Sequence, residues 1–113
     1  MRKETLGVLI ATTNDVAGYE ITEVLGEVFG LTVRSRNAFS QLGSGLRSML
    51  GGELKGMTQA LTDSRNQVIE RMVAEAEAKG ANAIVAMRFD TSEIGPSWTE
   101  ICAYGTAVRI SKK

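Results

Sequence analysis

Histidine is absent from this chain of 113 residues, and cysteine occurs once. The first absence excludes imidazole acid–base catalysis. A single thiol closes no internal disulfide and supplies no Cys-X-X-Cys pair, so zinc fingers and dithiol redox chemistry are excluded within one chain. No run approaches the roughly 20 apolar residues that span a bilayer. The apolar stretch from Leu6 to Ala11 is too short for a signal-peptide core, and Glu4 sits badly for one. The expected location is the cytoplasm, where one free thiol is at home, with no membrane partner. Charge of one sign is lacking too, because 13 Lys and Arg balance 13 Asp and Glu. With few aromatic residues besides, a nucleic-acid partner is not expected. What remains is an ordinary globular composition, of a length that fits one domain over residues 1–113.

Hydrophobic periodicity divides the chain. Residues 6–12 read as an N-terminal strand, and Asn14 to Gly18 as a turn, where Asn and Asp bond their own backbone. Tyr19 to Arg36 is rich in β-branched and aromatic residues, which predicts a long strand, or two strands bent near Gly26 or Gly30. From Asn37 the period changes: Phe39, Leu42, Leu46, Met49 and Leu50 form the stripe of a first helix that Gly51-Gly52 ends. A second helix of about 22 residues follows, spanning roughly 33 Å. Its stripe is Met57, Leu61, Ser64, Val68, Met72 and Ala76, with Thr58 as N-cap and Gly80 as C-cap. Residues 81–91 alternate, with Ala83, Val85, Met87 and Phe89 expected on one side. Ser92 to Ser97 reads as a turn and Trp98 to Ile110 as the last strand. The residues alone thus predict two layers, strands on one side and two helices on the other.

The segments Gly51-Gly52-Glu53-Leu54-Lys55-Gly56, Glu70-Arg71-Met72, Gly80-Ala81-Asn82-Ala83-Ile84-Val85, Arg88-Phe89-Asp90 and Tyr104-Gly105-Thr106-Ala107-Val108 carry a resemblance over nearly the whole chain. They are similar to the YbjQ family of small bacterial and archaeal proteins, which bears a heavy-metal-binding label. One departure is Met57, where members usually carry tyrosine. The resemblance implies an α+β, dodecin-subunit-like fold: an antiparallel sheet with two helices, its subunits assembling into a pentameric ring. It implies no catalytic activity.

Soft metals favour thiolate, thioether and imidazole. The weak candidates are Cys102 and, for a harder cation, Glu23 and Glu27, which four-residue spacing on a strand puts on one face. The connector with three glycines between the helices offers backbone amides beside Glu53 and Lys55, with Arg65 as a third candidate for a ligand or subunit contact. Tyr104 beside Gly105 and the lone Trp98 complete the candidates, the latter as an interface anchor. The expected function is a non-catalytic homo-oligomer, a pentamer, binding a small ligand, ion or protein partner in a pore or inter-subunit cleft. The alternative is a heavy-metal-binding or metal-sensing module with ligands shared between subunits. No cofactor is expected on the first reading; the second would take a divalent metal ion.

Overall fold

The computed structural model describes residues 7–35, 55–94 and 98–113, with only the backbone of Lys55 and Met57. Strand β1 (Leu9–Ile10) precedes the long β2 (Tyr19–Ser35), followed by helix α1 (Lys55–Ala78), β3 (Ala83–Ile94) and β4 (Trp98–Lys112). The strands form one open sheet in the order β1-β3-β4-β2. Pairing is antiparallel for β2 with β4 and for β3 with β4, and parallel for β1 with β3.

Three expectations are corrected here. The sheet is mixed rather than antiparallel, because β1 runs alongside β3 through Leu9↔Ala83 and Ile10↔Ile84. Among the described residues there is one helix, not two; the first helix expected over 37–50 lies outside them. Among the described residues the sheet ends in two edge strands, β1 and β2, and is not closed into a ring.

Local physics explains the smaller differences. Only two residues of the expected first strand pair, because beyond Ile10 the chain follows a bulge in β3. There the Met87 N–H donates to the Ala11 carbonyl at 3.1 Å and the Ala86 N–H to the Thr13 carbonyl at 2.8 Å. Ala86 adopts φ 55° and the β3–β4 register shifts between Val85 and Arg88. An inserted residue reverses the alternation. Ala83 and Val85 therefore face away from α1, while Ile84, Met87 and Phe89 pack towards it, which corrects the expected grouping of Ala83 and Val85 with Met87 and Phe89. Strand β3 also continues to Ile94 through residues read as a turn, paired residue by residue with β4.

From Ser64 onward the helix stripe is found where its spacing put it, whereas Leu61 is 46% exposed. Ser64, Val68, Met72, Val73 and Ala76 are at most 1% exposed. They pack on the small residues of the sheet, Val28, Ala103 and Ala107. Each buried Val or Met contributes about 1.5–3 kcal/mol relative to exposure. The helix stops in a Schellman arrangement: Ala81 N–H to Ala76 O and Gly80 N–H to Glu77 O, both 3.0 Å, with Gly80 at φ 82°. Asn82 then acts as an extra rung, its amide donating to Ile110 O at 2.9 Å and accepting from Ile110 N–H at 2.8 Å.

Strand β2 is an edge, yet α1 covers its middle. Arg71 donates to Leu31 O at 2.6 Å, Glu75 accepts from Phe29 N–H at 3.2 Å and Lys79 donates to Glu27 O at 3.3 Å. One step further, Arg34 donates to Gln67 at 3.0 Å. Four helical residues rise about 6 Å and two strand residues about 6.6 Å, so the repeats keep step. The rung pattern blocks strand addition between Glu27 and Leu31. Among the described residues no helix is long and apolar enough to cross a membrane.

Candidate functional site

Directly paired residues in a sheet share a face. On the face away from α1 the register stacks four rows: Phe29/Tyr104/Arg88, Leu31/Cys102/Asp90, Val33/Glu100/Ser92 and Ser35/Trp98/Ile94. No described element covers these rows. Trp98 is 50% exposed, Phe29, Val33 and Ile94 47%, and Tyr104 37%. The sequence makes this happen by placing its small residues, Gly30, Ala103, Gly105 and Ala107, on the opposite face, where α1 and the bulge approach closely. Bulk is left on the outside.

Polar groups punctuate this apolar face. The Ser92 hydroxyl donates to Glu100 at 3.0 Å, and Arg88 donates to the carbonyls of Thr12 and Met87, both at 2.8 Å. Cys102 sits in the second row, half-buried. Burial, then the carboxylates of Glu100, Asp90 and Glu27, push its thiol pKa up. At neutral pH the thiol is protonated, which makes it a poor nucleophile and a poor ligand for a soft metal.

On the helix side of the same end lies a groove of about 340 Å³ lined by Leu61, Arg65, Phe89, Thr91 and Ile101. Its wall is almost wholly apolar, and the Arg65 guanidinium lies 4.3 Å from the centroid of the Phe89 ring. A cation over a ring face is worth about 0.5–1 kcal/mol at an exposed site.

The sequence candidates are thus separated. Tyr104, Trp98 and Cys102 share the uncovered face, while Arg65 lines the groove behind it. Glu53 lies outside the described residues, and Lys55 opens α1 ten residues before Arg65, a helical rise of about 15 Å. Lys55 and Arg65 therefore stand about three turns apart on the helix. Glu23 and Glu27 do not share a face either: register shifts set them opposite Arg109 and Thr106, three residues apart on β4. Among the described residues of one protomer, no group of three or more Cys, Asp or Glu side chains is arranged so that it could hold a metal ion. Sequence reasoning missed Phe29, Val33, Ile94 and Leu61 as surface residues. The alternation of very small residues along β4 was the signal that the helix-facing side is the slim one.

A family model described as "Putative heavy-metal-binding", YbjQ_1, matches residues 8–111. A UPF0145 protein of Acidothermus cellulolyticus is 68% identical over 104 residues, covering 92% of this chain and 96% of that one. A UPF0145 protein of Streptomyces griseus is 62% identical over 105 residues, covering 93% and 87%. A UPF0145 protein of Lactococcus lactis subsp. cremoris strain MG1363 is 58% identical over 104 residues, covering 92% and 95%. Among solved structures, a Pediococcus pentosaceus protein of unknown function, assigned to the DUF74 family, matches 93% of this chain and 99% of its own at a TM-score of 0.51 and 17% identity. That likeness concerns the fold alone.

Proposed function

The chain belongs to the YbjQ family, and from that premise we propose that it is a non-catalytic homo-oligomer whose uncovered sheet face is buried between copies. The observation that carries this reading is the set of exposed Phe29, Val33, Trp98, Ile94 and Tyr104, spread over three rows of one sheet face. Scattered exposed apolar residues are ordinary, whereas a contiguous patch of this kind marks an interaction surface. Burying the exposed half of each such side chain contributes about 1 kcal/mol. The rungs from α1 to β2 favour contact through the face rather than through the middle of that edge.

The assembly has five copies on this reading, and a small ligand, ion or protein partner occupies the cleft between them. Tyr104 and Trp98 then serve as contact residues, and Arg65 faces the cleft from the helix side. Sedimentation velocity of the purified chain at micromolar concentration tests this. The expected result is one species of five-fold protomer mass. A monomer overturns the reading, and a different single multiple overturns the count.

A further inference from the structure

Two apolar features occupy opposite faces of the same end of the sheet. One is a knob, Trp98 paired with Ile94 in the last cross-strand row, each about half exposed. The other is the groove bounded by Leu61, Arg65, Phe89 and Ile101. On β4, Trp98 and Ile101 are an odd number of residues apart, so one points away from α1 and the other towards it. A protomer cannot fold its own knob into its own groove. A second copy can supply what each lacks.

We propose that the Trp98–Ile94 knob of one copy seats in the groove of the next. This rests on the oligomeric reading above and names the surfaces that meet. Volume is adequate: about 340 Å³ lies at the lower end of pockets that enclose organic ligands, ample for an indole ring. Chemistry matches as well. One face of the Arg65 guanidinium is taken by Phe89, and a planar cation stacks on aromatic rings from either side, so the arriving Trp98 completes a sandwich. Charge is complementary, because Glu100 stands in the row next to Trp98 on the knob's face and the groove carries Arg65. The contact is heterologous, joining two different patches, and each copy both gives a knob and receives one.

Two variants separate the halves of the contact. Trp98→Ala keeps the groove and loses the knob, whereas Leu61→Arg keeps the knob and fills the groove with charge. Both positions are about half exposed in the protomer, so the fold tolerates the changes, and far-UV circular dichroism checks that. With wild type assembled, each variant alone sediments as a monomer, and an equimolar mixture forms a two-protomer species and nothing larger, since one knob and one groove remain. Trp98 is the single tryptophan, so acrylamide quenching reports its burial directly: several-fold weaker in assembled wild type than in Leu61→Arg. The proposal is overturned if either variant keeps the wild-type mass, if the mixture stays monomeric, or if quenching is equal in both. A monomeric wild type would instead overturn the oligomeric reading on which the proposal stands.

Discussion

Replacing Gly30 by alanine tests how closely α1 lies on the sheet. A Cβ at this position would stand inside van der Waals contact with the Val68 carbonyl oxygen, 2.7 Å from the Met72 backbone nitrogen and 2.9 Å from the Val68 carbonyl carbon. Carbon prefers about 3.5–4.0 Å, and backbone atoms cannot rotate out of the way as a side chain can. The helix must withdraw by most of an ångström, loosening Val28, Val68, Met72 and Ala103, none of which is measurably exposed. Overpacking of this kind costs about 1–3 kcal/mol, and a rigid backbone clash belongs at the upper end. The reduced entropy of the unfolded chain returns at most about 1 kcal/mol. A net loss of about 2 kcal/mol remains. At roughly 2.1 cal/mol/K per residue, the thermal midpoint falls by about 8 °C. Thermal unfolding followed by circular dichroism at fixed protomer concentration measures this, since assembly makes the midpoint concentration-dependent. Gly18→Ala is the control, because Gly18 has φ 82° and nothing within 4 Å of an added Cβ. That change carries only left-handed backbone strain, about 1 kcal/mol. A Gly30→Ala midpoint equal to wild type, or no lower than that of Gly18→Ala, would refute the reasoning.

Asn82→Ala removes both side-chain bonds to the Ile110 backbone and leaves an N–H and a carbonyl without their partner. A loss of about 2 kcal/mol in urea unfolding is expected, and a change below about 0.5 kcal/mol would show that water replaces the amide freely. Cys102 should react slowly with an alkylating reagent at neutral pH, because burial and the Glu100 carboxylate keep the thiol protonated; Glu100→Gln should speed labelling at the same pH. The folded thiol pKa is raised, so its contribution to stability is complete below the unfolded thiol pKa and is lost as pH rises through the folded value. Equal labelling rates in the two proteins would contradict the electrostatic part of that account.

Helix α1 was legible because its signals agree: Val68, Met72 and Ala76 at helical spacing, with Gly80 ready for the left-handed cap. The long strands were legible from their β-branched runs. The parallel placement of β1 was not, since a two-residue strand carries almost no period and its partner lies more than seventy residues away. The bulge at Ala86 hid for a different reason. Alanine is an improbable residue for positive φ, and the constraint comes from the Ala11 and Thr13 carbonyls on another segment. The same shift explains why a strict alternation misassigned Ala83 and Val85. At the candidate site, Trp98 and Tyr104 stood out by residue type. Their neighbours Phe29 and Val33 did not, because a bulky residue in a strand reads as core until the slim face opposite is recognised.

The central claim, that the sheet face away from α1 is buried between copies, is tested most directly by changing it alone. Phe29 and Val33 are both 47% exposed, so Phe29→Ser with Val33→Ser leaves the buried core of the protomer intact. Sedimentation velocity of this double variant beside wild type at micromolar concentration is the decisive comparison. The account predicts an assembled wild type and a folded, monomeric variant. A variant with the full mass of the wild-type assembly would contradict it.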